Sequence, residues 1–292
     1  MSALLLLKDM IDKTLVTGAM LILGSELFLV LSGMVIKQIS ADLPTEVIVF
    51  FRNAMGLVLL VPWFLKHGIK GVQTQLLRYH FMRAAVGVTA MSCLYYAWGH
   101  LPLAQAALLK QTAPFFVPFF AFWWLGERVN SYAKYAIGIG FVGVYIVLNP
   151  HGSDINIAVL VAVFGAMLGA LAKVTVRRMV LTESPQRIVF YFALFSTGLA
   201  AIPAAIAWVT PSWPQLLWLL VLASTSTIAQ LLLSKGYGYA PAGQLGPFTY
   251  SSILFATLFG WWIWNESIAL HTWIGVVLIV VAGFITMRTK KK

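Results

Sequence analysis

The sequence predicts an all-α membrane protein: ten transmembrane helices in two inverted five-helix repeats, with both termini cytoplasmic. Three observations carry this reading. First, 60% of the 292 residues are hydrophobic and only 10% are charged, with a mean hydropathy of +0.87. A soluble domain carries about 25% charged residues, so this chain lacks the polar side chains to cover a water-facing surface. Second, the 47 residues between Arg187 and Lys235, the 30 between Lys235 and Glu266, and the 21 between Glu266 and Arg288 hold no formal charge. One helical crossing needs about 20 apolar residues. Third, the second half of the chain repeats short motifs of the first at a near-constant offset. Soluble enzymes and nucleic-acid-binding proteins are excluded by this composition, despite the net charge of +11.

Turn signals divide the apolar stretches into spans at 15–36, 46–65, 79–98, 104–125, 132–148, 155–176, 187–209, 214–233, 242–264 and 271–287. The breakers include Asp42-Leu43-Pro44, Gly99-His100-Leu101-Pro102, Asn149-Pro150-His151-Gly152, Pro211-Ser212-Trp213-Pro214 and Ala240-Pro241. No loop is long enough to be a domain, so any function must sit inside the bundle. Lys8 and Lys13 precede a long apolar segment with no small-residue cleavage site, which reads as a retained first span. With the N-terminus cytoplasmic, 15 of the 20 basic residues fall on the cytoplasmic side and only Lys37 on the other. That asymmetry fixes the expected orientation. Tryptophans near span ends, among them Trp63, Trp98, Trp213 and Trp264, read as an interfacial belt. The lone cysteine, Cys93, can form neither an intrachain disulfide nor a Cys-rich metal site.

The repeat runs at an offset of 139 to 140 residues. Pro102-Leu103-Ala104-Gln105 matches Pro241-Ala242-Gly243-Gln244, Gln75-Leu76-Leu77 matches Gln215-Leu216-Leu217, and Ile48-Val49-Phe50 matches Ile188-Val189-Phe190. Gly126-Glu127-Arg128 falls on Asn265-Glu266-Ser267. The halves are therefore 1–150 and 151–292. Five helices per half is an odd number, so the halves must insert with opposite orientations. Inverted repeats mark alternating-access carriers, with the site near the midplane where the repeats meet.

Ordered along the chain, these motifs resemble the drug/metabolite transporter superfamily, specifically its EamA-type carriers. The matching residues are Gly24-Ser25, Phe51-Arg52, Leu101-Pro102-Leu103-Ala104, Ala106, Pro114 and Leu125-Gly126-Glu127-Arg128. In the second half they are Pro241, Pro247, Asn265-Glu266 and the final Gly275 to Gly283 helix. The resemblance covers essentially the whole chain and implies a carrier of small organic solutes with a cavity between its halves. It departs where Phe192 stands at the repeat position of Arg52, so a strictly symmetric site is not expected.

Polar side chains inside the spans are the candidate substrate-binding residues: Glu26, Arg52, Arg83, Lys110, Gln111, Gln230 and Tyr250. Glu26 is the only acid deep in a span, roughly 17 Å in at 1.5 Å per residue. A carboxylate there must face protein rather than lipid. A stripe of Gly18, Ala19, Ser25, Ser32 and Gly33 beside it suits close helix packing. Glu26 reads as a substrate or proton site, or as a structural group, either an ion pair with Arg52 or Arg83 or a permanently protonated hydrogen-bond donor. Arg52 matches the family's second-helix arginine, which implies gating as much as binding. Arg83 could snorkel to water, as could Lys173. Lys110 and Gln111 lie just before Pro114 and Pro118, whose missing N–H groups free carbonyls in the preceding turn. The hydroxyls of Ser224 to Thr227 are expected to bond their own backbone or a neighbour.

The expected function is secondary transport of small amphiphilic organic metabolites, amino acids or related compounds, across a bacterial plasma membrane. The alternative is a proton-coupled exporter of organic cations using Glu26. A membrane scaffold without flux is a third class. The partners expected are a small organic solute and membrane lipid, with no nucleic acid, cofactor or metal, in a monomer or else a homodimer. The five histidines are scattered, and no catalytic constellation emerges, so no enzyme activity is expected.

Overall fold

Prolines decide where several of the apolar runs break. The computed structural model describes residues 2–125, 156–180, 182–239, 248–266 and 270–287, with scattered positions between 135 and 146. Among these, the regular structure is helical throughout. The helices are α1 (Ser2–Ile39), α2 (Thr45–Leu59), α3 (Val61–Val72), α4 (Leu77–His100), α5 (Leu103–Lys110) and α6 (Ala113–Leu125). They continue with α7 (Ile157–Met179), α8 (Pro185–Ile206), α9 (Trp213–Tyr239), α10 (Ser251–Trp264) and α11 (Leu270–Met287). Four segments among the described residues are long and apolar enough to cross a membrane: Val16–Ile39, Ile157–Val176, Pro185–Ile206 and Trp213–Gly236. The bent pair α2–α3 makes a fifth if it is one span.

Among the described residues, the predicted spans 46–65 and 104–125 are broken helices. The run 46–65 bends by 70° between α2 and α3. Pro62 stands in the first turn of α3. Having no N–H, it cannot continue the α2 ladder, but it fits a helix start. Beyond the bend, Leu65 and Ile69 are 74% and 72% exposed while Lys66 and Lys70 are interleaved with them, the pattern of a helix lying at a membrane surface. Gly68, at φ +59°, interrupts its winding in a conformation that glycine adopts at little cost.

The run 104–125 breaks at Gln111–Thr112, between α5 and α6. Pro114 withholds the N–H that would have reached Lys110. The chain there tightens to shorter bonds, Gln111 N–H to Leu108 O, Thr112 N–H to Leu109 O and Phe115 N–H to Thr112 O. The predicted span 132–148 lies largely outside the described residues, as do 242–247 of the ninth. The described part of the ninth has a turn at Tyr250 before α10 begins at Ser251.

Small residues set the packing of the halves. Ser25 Oγ on α1 donates to the Ala229 carbonyl on α9 at 2.8 Å, and Ser32 Oγ lies 2.9 Å from Thr225 Oγ1. A Cβ on Gly24 would already touch Leu232. These contacts place Gly24, Ser25 and Ser32 of α1 along α9, where small side chains let the backbones approach. Trp98 is a correction to the belt assignment. It is 1% exposed, and a Cβ on Gly33 would sit 2.7 Å from its ring. The missing side chain of Gly33 makes the space that the indole fills. Trp213, at the start of α9, is by contrast 82% exposed.

Candidate functional site

The break between α5 and α6 positions the first group of predicted residues. Lys110 is the last residue of α5, and its ammonium donates to Glu26 Oε2 on α1 at 2.6 Å. Glu26 is 4% exposed. Its partner is Lys110, and neither Arg52 nor Arg83 makes an ion pair with it, which corrects the structural pairing considered from the sequence. Lys173 on α7 is partly buried.

Gln111, fully buried, donates through Nε2 to the Thr249 carbonyl and to Ser252 Oγ, both at 2.7 Å. Tyr250, 7% exposed, stands between those two partners in sequence. Gln111 and Tyr250 are 139 residues apart, the offset of the sequence repeat. The break in one half is thus stitched to the turn at the equivalent position in the other. Backbone groups freed by an interrupted helix need partners in an apolar interior, and the Gln111 carboxamide supplies one.

Arg52, Arg83 and Gln230 form a second group around Phe192. Arg52 is 3% exposed; its Nε donates to Ser226 Oγ and its Nη1 to Asn53 Oδ1, both at 2.8 Å. Arg83 is 6% exposed, so it does not snorkel, and its Nη2 donates to Gln230 Oε1 at 3.2 Å. Both guanidiniums face the ring of Phe192, at 5.7 Å and 4.1 Å from its centroid. Gly87, one turn beyond Arg83, makes room for that ring: a Cβ there would meet Phe192 Cε2 at 2.9 Å. α1 and α9 link the two groups, because the Ser25–Ala229 bond is made by the sequence neighbours of Glu26 and Gln230. The hydroxyls of Ser224, Thr225 and Ser226 return to carbonyls of their own helix, as expected, and two of them also serve another helix.

A cavity of about 250 Å³ between α2, α4 and α7 is lined by Thr45, Glu46, Ser92, Cys93, Tyr96 and Val161, none of them a predicted site residue. Among the described residues, no three His, Cys, Asp or Glu side chains converge on a point that could hold a metal ion.

Two polar clusters escaped the sequence reading. Glu266, beyond the end of α10, pairs with Lys37 of α1 at 2.5 Å and accepts the Leu103 N–H at 2.9 Å. Lys37 also donates to the Leu101 carbonyl. The second cluster centres on Glu183, which accepts from Thr74 Oγ1 at 2.6 Å and from Arg187 Nη1 at 2.8 Å. His80 Nε2 lies 3.8 Å from the same carboxylate. Arg187 Nε and Tyr191 OH hold the carbonyls of Gly71 and Val72. Each cluster ties the first half to the second. The signal for the former was present, since Lys37 and Glu266 are isolated charges assigned to the same side of the membrane. Nothing local points to the latter.

The comparisons agree with this architecture. The model of the EamA-like transporter family matches residues 16–149 and again 156–288. The pseudopaline exporter of Pseudomonas aeruginosa strain UCBPP-PA14 is 32% identical over 288 residues, covering 97% of this chain and all of that protein. The riboflavin transporter of Vibrio cholerae is 28% identical over 260 residues, 87% of each chain. The S-adenosylmethionine uptake transporter of Rickettsia bellii is 26% identical over 257 residues, 88% of each chain. A solved crystal structure with 17% sequence identity superposes with a TM-score of 0.63 over 94% of this chain and 96% of its own, a likeness of fold. From its sequence and its relatives alike, the chain is a member of the EamA-like transporter family and a multi-pass protein of the inner membrane.

Proposed function

We propose that this protein is a secondary carrier that moves small amphiphilic organic metabolites, amino acids or related compounds, across the plasma membrane by alternating access. The observation that carries the proposal is the Glu26–Lys110 pair at the break between α5 and α6. A buried acid and base, each the other's counter-ion, can be exchanged for the ammonium and carboxylate of a zwitterion without leaving a charge unpaired. Broken helices with such groups are where carriers of inverted-repeat design bind their solutes. The relatives named as transporters of pseudopaline, riboflavin and S-adenosylmethionine support a small organic metabolite as cargo. They include an exporter and an uptake transporter, so they support a small organic cargo and give no direction.

In this reading Glu26, Lys110, Gln111 and Tyr250 line one central space between the repeats 1–150 and 151–292, and Arg52, Arg83 and Gln230 border it. Alternating access then opens the bundle at one end by breaking the Lys37–Glu266 contact and at the other by loosening the Glu183 cluster. The cation-exporter reading is less well supported, because the Glu26 carboxylate already holds an internal cation. The carrier works as a monomer, since the two fused halves enclose the site.

Purified protein reconstituted into proteoliposomes and preloaded with a metabolite panel tests this by counterflow. Accumulation of labelled zwitterionic amino acids or related solutes above protein-free vesicles is the expected result. No counterflow with any member of a broad panel would reject the carrier reading. The orientation has its own test. A cysteine replacing Ser153, a position outside the described residues, is expected to react with an impermeant thiol reagent in intact cells, whereas one replacing Lys70 is expected to react only after permeabilisation. The reverse pattern would overturn the assignment of both termini to the cytoplasm.

A further inference from the structure

Arg83 is a buried cation with donors to spare. Its Nε and Nη1 have no hydrogen-bond partner, and its one side-chain bond, from Nη2 to Gln230, is to a neutral amide. Arg52, close by across Phe192, spends Nε and Nη1 on Ser226 and Asn53, also neutral. Among the described residues, the carboxylates that make ion pairs are Glu26, Glu183 and Glu266, and none of them pairs with either guanidinium. Guanidinium does not shed its proton to escape burial. The shared aromatic face offers both charges a cation–π contact, but an aromatic quadrupole is a weak substitute for an anion. Two buried positive charges and two empty donors therefore define a place that an oxyanion would complete with charge-assisted bonds.

We infer that Arg83, backed by Arg52 and flanked by Gln230, is an anion subsite that takes a carboxylate of the transported solute, beside the Glu26–Lys110 pair and distinct from it. The inference rests on the carrier reading above and adds a substrate class. The Glu26–Lys110 pair accommodates an ammonium and one carboxylate, and Arg83 accommodates a second acid group. The preferred solutes are thus amino-dicarboxylates or larger amino-polycarboxylates. Phe192 covers one face of the guanidinium, so a planar carboxylate approaching in the guanidinium plane fits the open donors. The Ser25–Ala229 bond packs α1, which carries Glu26, against α9, which carries Gln230.

The test is a titration of the full-length detergent-purified protein with L-glutamate, L-glutamine, glutarate and inorganic phosphate, followed by calorimetry and by thermal unfolding. Glutamate and glutamine differ by one carboxylate against a neutral amide. Wild type is expected to favour glutamate by about tenfold or more, the factor that a charge-assisted hydrogen bond supplies, and to bind glutarate better than phosphate. Arg83→Gln is expected to erase the preference for glutamate over glutamine. Gln230→Glu places a carboxylate against Arg83 inside the chain. It is expected to raise the unliganded melting temperature and also to erase the preference, and it decides the matter should Arg83→Gln fail to fold. Equal affinity for glutamate and glutamine in wild type, no binding of any carboxylate, binding of phosphate alone, or a preference unchanged in both variants would each overturn the subsite. Counterflow separates this from the carrier reading. Carboxylate binding without flux rejects the carrier and leaves the subsite, while flux of zwitterions without a carboxylate preference rejects the subsite alone.

Discussion

Glu26→Gln and Lys110→Met are each expected to lower transport at least tenfold and to destabilise the protein, whereas combining them restores stability without restoring transport. The reasoning starts from the 2.6 Å pair itself, in which Glu26 and Lys110 have 5% and 16% exposed side chains. Removing one partner leaves the other as an uncompensated charge, at a cost of about 3–5 kcal/mol for a buried pair. Removing both exchanges the pair for neutral groups of similar volume, which is often nearly neutral for stability. A merely structural pair would therefore be dispensable in the double variant. Melting temperature in detergent and counterflow in proteoliposomes, measured on all four proteins, separate the two roles. Near-normal flux in the double variant would show that the pair holds the fold and does not handle the solute.

Glu183→Ala is expected to produce the largest loss of stability away from the central site. Its carboxylate, 4% exposed as a side chain, serves Thr74 and Arg187 and lies against His80. Truncation removes a charge-assisted bond, worth about 1.5–3 kcal/mol, and leaves the Thr74 hydroxyl without its acceptor. At roughly 2–4 °C per kcal/mol for a chain of this size class, the melting temperature is expected to fall by several degrees. Glu183→Gln keeps an acceptor oxygen but not the charge, so its loss is expected to be about half as large. Intrinsic-fluorescence melting of the three proteins measures both. Unchanged melting in Glu183→Ala would mean that water replaces the carboxylate, and that the contacts of Arg187 and Tyr191 with Gly71 and Val72 hold these helices together unaided.

The helical class was legible in the sequence because it needs only composition and run length: uncharged stretches of 21 to 47 residues leave the backbone no other way to satisfy itself in lipid. The interruption before Pro114 was legible for a similar reason, since a missing N–H acts on its own turn wherever that turn lies. The 70° bend at α2–α3 had the same local signal in Pro62, masked by the apolar run that continues through Leu65. The equivalence of Gln111 and Tyr250 was implicit in the repeat offset, although the hydrogen bonds that join their segments were not.

What only the tertiary structure decided is which polar groups meet. Sequence placed Glu26, Arg52, Arg83 and Lys110 inside helices and could say that a deep carboxylate must avoid lipid. It could not choose Lys110 over the two arginines, because that choice depends on the rotation of α1 about its axis and on the direction in which α5 ends. The same holds for Lys37 with Glu266, 229 residues apart, and for Trp98, which a position near a helix end made look interfacial until Gly33 provided its pocket. Local periodicity and backbone chemistry act within one turn and can be read along the chain. Pairing energies between buried charges act across helix interfaces, and only the packed bundle sets those distances.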